Sequence, residues 1–263
     1  GGKWTGVIYP PGTKSELGYY ATHFFNTVEV NASFYRLVPP ATARAWARIT
    51  PPHFEFAVKA WQKFTHPHMH AEAGGKAEGL TQEDVDRFRA GLDPLAETRK
   101  LGAVLLQFPP SFLASRQNQT YLAALLGKLA EYPLAVELRH RSWSNRKEET
   151  RDLLQAHRAT WVVIDEPKFP SSIRQEVEPL SEMLYLRFHG RNAATWWKHE
   201  RAEERYDYLY SGAELRPFAD KIRAVLATAG PRRIYVFFNN HARGQAVQNA
   251  QMLIRLVGEA QSP

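Results

Sequence analysis

The chain has 263 residues, is 44% hydrophobic and 12% aromatic, and carries a formal net charge of +7. That apolar content supports a folded core and excludes global disorder, while no apolar run approaches the roughly 20 residues of a membrane span. The absence of cysteine removes disulfides, thiolate metal sites and a cysteine nucleophile, and the basic balance favours anionic partners.

In chain order, the first residues, Gly1-Gly2-Lys3, show no methionine and no signal-peptide pattern, and a cytoplasmic location is expected. The first visible element is a helix over about 14–25, on the spacing of Leu17, Tyr20, Ala21 and Phe24. A helix in this place should follow a strand, so a first strand is expected to lie before Gly1. Strand-like runs follow at 27–34, 54–60, 103–108, 134–139, 160–165, 184–189 and 234–239. Most are nearly continuous in apolar character, as parallel strands covered on both faces are. Helical spacing separates several of them. Thr81-Gln82-Glu83-Asp84 reads as a capping box opening the helix of Val85, Phe88 and Leu92. Further helices are expected around Tyr121–Leu129, Leu215–Leu226 and Ala246–Val257.

Alternating strands and helices without a composition shift predict one α/β domain over the whole chain. No Gly-x-Gly-x-x-Gly follows a strand, which argues against a dinucleotide-binding open sheet. Polar residues also end almost every strand, so the expected fold is a (β/α)8 barrel of the TIM type, with seven strands visible. Insertions at about 66–79 and 191–211 are expected over its mouth.

The strand ends supply the candidate site. They are Glu29 and Asn31, Lys59, Gln107, then Glu137, Arg139 and His140, then Asp165, Arg187 and His189, and last Asn239, Asn240 and His241. In such barrels these ends converge on the active-site face. Two chemistries fit. Glu29, Glu137, Asp165, His189 and His241 are ligand types that divalent metals take. The three cations Lys59, Arg139 and Arg187, helped by Gly190 and Arg191 after the seventh strand, would instead hold a phosphate or carboxylate, leaving the carboxylates and imidazoles for acid–base work. Three cations would repel a metal, which favours the anion site. Trp196-Trp197-Lys198-His199 is read as a lid or a stacking surface. His66-Pro67-His68-Met69-His70 is read as a solvated loop with one useful histidine.

Several stretches resemble the YecE-like family, a domain of unknown function. They are residues 27–36, Phe56-Ala57-Val58-Lys59-Ala60, Gln107-Phe108-Pro109-Pro110-Ser111-Phe112, residues 136–143 ending in Trp143, Leu186-Arg187-Phe188-His189-Gly190-Arg191, and Phe238-Asn239-Asn240-His241. The resemblance covers essentially the whole chain. It implies a TIM barrel similar in arrangement to the xylose-isomerase-like and apurinic-endonuclease barrels, and a Gly-Thr-Ser-Gly-Trp-like first strand that this chain lacks. It places His66, but not His68 or His70, at a family position, and assigns no activity. The leading expectation is therefore an enzyme for an anionic substrate, a hydrolase, lyase or isomerase. The base would be Glu137 or Asp165 and the acid His189 or His241. The binding residues would be Asn31, Lys59, His66, Gln107, Arg139, Trp143, Arg187, Arg191, Asn239 and Asn240. Alternatives are a metal-dependent phosphodiesterase or endonuclease, and a non-enzymatic nucleic-acid-binding protein. No membrane partner is expected, and no feature names a protein partner.

Overall fold

The structure, a computed structural model, describes residues 4–74, 80–196, 204, 206–228 and 230–259. The chain forms two compact units, Thr13–Ala159 and Gly1–Gly12 with Thr160–Pro263.

The unit Thr13–Ala159 begins with α1 (Glu16–His23), β1 (Thr27–Val30), α2 (Pro40–Ile49) and β2 (Glu55–Lys59). It continues with α3 (Gln62–Thr65), α4 (Pro67–Glu72), α5 (Gln82–Glu97), β3 (Leu101–Gln107) and α6 (Arg116–Lys128), then β4 (Leu134–Glu137), α7 (Arg141–Ser144) and α8 (Lys147–Ala156). β1 to β4 pair in parallel in chain order. The capping box holds: Thr81 Oγ1 accepts from Asp84 N, and Asp84 Oδ2 accepts from Thr81 N. Lys63 Nζ donates to the same carboxylate at 2.7 Å, in a pair that is nearly buried. Lys100 closes the end of α2, donating to the carbonyls of Ala47, Thr50 and Pro51 at 2.7–2.8 Å. Those carbonyls would otherwise lack intrahelical partners.

Two expectations are corrected here. The run 27–34 stops as a strand at Val30, because Ser33 Oγ bonds the carbonyls of Val30 (2.7 Å) and Lys59 (2.6 Å) and turns Ala32–Phe34 into a 3-10 turn. The histidine-rich segment is a helix and not a loop. Pro67 opens α4 at a position where a missing N–H costs nothing.

The second unit carries β5 (Thr160–Trp161), β6 (Val163–Asp165), β7 (Met183–Phe188), α9 (Gly212–Leu226), β8 (Arg233–Phe238) and α10 (Gln245–Gly258). β6, β7 and β8 pair in parallel. The expected run 160–165 is interrupted at Val162. The Gln175 amide donates to Val162 O at 2.8 Å and accepts from Ile164 N at 3.3 Å, taking the place of a neighbouring strand. Leu184, Leu186 and Phe188 pack with Leu215 and Ile222 of α9 and Leu253 and Leu256 of α10. Among the described residues no helix is long and apolar enough to cross a membrane. The fold is α/β with parallel sheets.

Candidate functional site

In a strand the side chains alternate between faces, and register partners in a parallel sheet share one. In the unit Thr13–Ala159 the partners Glu29↔Ala57, Lys59↔Leu105↔Ala135 and Gln107↔Glu137 therefore lie on a single face. The other face holds Val28, Phe56, Val58, Val104, Leu106 and Val136. Phe56 stacks there on Trp46 of α2, so this is the helix-covered side. The first face thus carries small or medium apolar side chains low down, with Glu29, Lys59, Gln107 and Glu137 toward the strand ends. The register slips by one residue between Phe56 and Ala57, where β3 advances from Leu101 to Ala103. Without that bulge at Gly102, Gln107 would point to the opposite face.

Around this edge the contacts are specific. Glu137 is fully buried and accepts Arg139 Nε at 2.7 Å. Asn31 Nδ2 donates to Glu29 Oε1 at 3.1 Å. Lys59 Nζ lies 4.2 Å from the centre of the Phe34 ring, whose face attracts the ammonium. The His66 ring packs edge-on against Phe34 at 5.0 Å, and His66 Nδ1 bonds Thr65 Oγ1 at 2.9 Å. Burial first, then the charges of Lys59 and Arg139, push the His66 pKa down from 6.5 to about 4, with Glu137 opposing them weakly. His66 is therefore a neutral imidazole at neutral pH, in a positive field.

Other candidates from this unit sit elsewhere. Trp143 is fully buried, stacks on Phe112 and donates to its carbonyl at 2.7 Å, so it is core. His140 caps α7, accepting from Ser142 N at 3.1 Å, and burial with Arg141 lowers its pKa. His70 packs against Trp61, and His68 is exposed.

In the second unit the register separates residues that the linear order groups together. Arg187 pairs with Ile164 and Phe237, whereas Asp165 pairs with Phe188 and through it with Phe238, on the core side. Asp165 Oδ1 accepts Arg191 Nη2 at 2.9 Å, and Oδ2 accepts Arg191 Nε at 2.8 Å and the Tyr210 hydroxyl at 2.7 Å. Arg191 also reaches Glu214, which accepts from Tyr208. Burial favours protonation of Glu214, but the hydrogen bonds of Tyr208 and Ser211 and the charge of Arg191 leave its pKa below the usual value. The Asp165 hydrogen bond raises the Arg191 pKa, and burial raises that of Tyr210. Gly190 makes the return possible: its φ is +88°, and a Cβ there would lie 2.8 Å from Tyr208 Cβ. Asp165 and Arg191 thus tie the end of β7 to α9. Both side chains, expected as a base and an anion-binding group, are committed here to hydrogen bonds with each other and with Tyr210 and Glu214.

The Arg187 side keeps the other candidates. Arg187 and His189 are buried, and His189 Nδ1 lies 3.1 Å from Asn239 Nδ2. His241 Nδ1 bonds Asn239 O at 2.8 Å, and its ring meets Tyr206. Asn240 is internal, donating to Tyr208 O and Asn249 Oδ1 at 2.7 Å. Trp196 is buried and packs edge-on near His189 and Tyr206. Trp197, Lys198 and His199 lie outside the described residues. Among the described residues no three His, Cys, Asp or Glu side chains gather as metal ligands. The Tyr208–Tyr210–Glu214 network was missed by the sequence reading. Its one local sign is the Ser211-x-x-Glu214 capping box.

A family profile described as "Protein of unknown function DUF72" matches residues 2–263. A protein named UPF0759 protein YunF, of Bacillus subtilis (strain 168), is 33% identical over 263 residues, covering 95% of this chain and 90% of its own length. A crystal structure of a DUF72 family protein from Enterococcus faecalis V583 superposes with TM-score 0.84 at 26% identity, over 99% of this chain and 94% of that one. One from Thermotoga maritima MSB8 gives TM-score 0.79 at 38% identity, over 97% and 95%.

Proposed function

Because the chain belongs to the DUF72 family, whose description assigns no reaction, the reading must come from its own residues; we propose that it is an enzyme acting on a small carboxylate- or phosphate-bearing substrate. Lys59 and Arg139 bind the anion, Glu29 or Glu137 exchanges the proton, and His66 serves as a neutral hydrogen-bonding group and not as an acid. Asn31 and Gln107 orient polar parts of the substrate. Closure of the strands into a (β/α)8 barrel belongs to the same proposal. Arg187, His189, Asn239 and His241 are a second place at which the same chemistry is to be sought.

The observation that carries this reading is the grouping at the strand ends, where Lys59 lies over the Phe34 ring that packs on His66 and Arg139 is held by buried Glu137; burial first, and then the charges of Lys59 and Arg139, lower the His66 pKa. A site that holds an imidazole neutral in a positive field is suited to a negative charge. An anion bound beside the two cations cancels their field, so the His66 pKa must rise. The test is NMR titration of His66 in the intact chain, alone and with phosphate, sulfate, citrate and short 2-oxo or 2-hydroxy acids. A pKa that rises with at least one anion, and not with its neutral amide or ester, supports the reading. A pKa unmoved by the whole panel overturns it.

A further inference from the structure

Parallel strands are normally joined by a crossover helix that covers the sheet. Between β6 and β7 this chain instead runs through 166–182 with no helix among the described residues. A cavity of about 600 Å³ remains between that segment, β6 and α9, within the range of small-molecule sites. Its walls include Phe169, Ile173, Val177 and Phe218, and it is also lined by Lys168, Arg174 and Lys221. The acid on its wall, Asp165, is already neutralised by Arg191 and holds the Tyr210 hydroxyl, so it adds little repulsion. The covering segment is fastened. Ser172 Oγ accepts from Phe169 N at 3.0 Å, and Gln175 grips the β6 backbone on both sides of Val163. The cavity therefore exists before any ligand arrives, which lowers the ordering cost of binding.

We propose that this cavity is a ligand site separate from the strand-end residues, taking an organic anion with a compact apolar body: a carboxylate or phosphate monoester on an aromatic or branched aliphatic group. The apolar body lies between Phe169, Ile173 and Phe218, and the anionic head faces Lys168, Arg174 and Lys221. Charge at the rim sets the sign of the ligand, and the apolar walls exclude a bare inorganic ion.

The experiment titrates the intact chain with 1-naphthyl phosphate, 1-naphthoate, neutral 1-naphthamide and inorganic phosphate, following backbone amides by NMR. The two naphthyl anions are expected to shift amides of residues 168–177, with the stronger of the two identifying the head group. Naphthamide should bind about tenfold more weakly, and inorganic phosphate should leave these amides unmoved. Lys221→Glu, an exposed change on α9, should weaken the anions by about tenfold. Val177→Phe should fill the cavity and abolish the shifts. Shifts confined to the surroundings of His66, equal binding of naphthamide, or anion binding indifferent to Lys221→Glu would each overturn the proposal.

Discussion

His66 offers a test in which the structure sets both sign and size. Its pKa is about 4 in the folded chain against an ordinary 6.5, chiefly through burial and then through Lys59 and Arg139. The folded state therefore resists a proton that the unfolded state accepts. The stabilisation is fully present above pH 6.5 and is lost as pH falls through that value toward 4. Its full extent is about 3 kcal/mol, and at about pH 4.5 some 2 to 3 kcal/mol of it has gone. Urea unfolding of the wild-type chain and of His66→Gln, at about pH 7 and about pH 4.5, isolates this share, since the other titrating groups are common to both. The wild type should lose about 2 kcal/mol more than the variant over that interval. Lys59→Met should raise the His66 pKa toward its ordinary value, read by NMR. Equal acid sensitivity of wild type and His66→Gln, or a His66 that titrates near 6.5, refutes the assigned environment and with it the observation behind the anion site.

Asp165→Asn should cost about 2 to 4 kcal/mol in thermal or urea unfolding, because Arg191 loses its bidentate acceptor. It should leave the anion response of His66 unchanged; loss of that response at undiminished stability would contradict the structural task given to Asp165. Lys63→Met strands the Asp84 carboxylate beside the capping box and should cost about 3 kcal/mol, while Lys63→Met with Asp84→Asn together should recover part of it, measured by urea midpoint. Burial alone would raise the Asp84 pKa, yet the hydrogen bonds of Lys63 and Thr81 keep it low, so the wild type loses stability as acid protonates Asp84, and Lys63→Met should lose less over the same acid interval. Lys100→Met should cost about 2 to 3 kcal/mol, with hydrogen exchange quickening first at the end of α2.

Much of the architecture was legible in the order of residues. The continuous apolar runs mark the parallel strands because both faces of such strands are covered, and Thr81-x-x-Asp84 marks the start of α5 because its chemistry is local. Helices α2 and α8 were passed over although each has ten residues, and the short helices α3, α4 and α7 were not legible. Each has too few turns for a clear apolar period, and packing stabilises what propensity leaves marginal. Glu29, Lys59, Gln107, Glu137 and Arg139 were picked out by their place at strand ends, and the register puts Glu29, Lys59, Gln107 and Glu137 on one face. Asn240 and Asp165 were gathered by the same rule and are held by hydrogen bonds within their unit, while Trp143, taken from the family resemblance, packs in the core.

What the sequence by itself determined is where the strands and most of the longer helices fall, in what order, and which ionisable residues stand at the ends of strands. Only the tertiary structure decided which way those residues face. A strand repeats every two residues, so the single bulge at Gly102 suffices to bring Gln107 level with Glu137 on the Lys59 face. The register of β6 on β7 likewise sends Asp165 to the core side and Arg187 to the other. Partners such as Tyr210 for Asp165, and Arg139 for His66, come from distant parts of the chain, and they set whether an ionisable group is held by hydrogen bonds or shifted in its pKa.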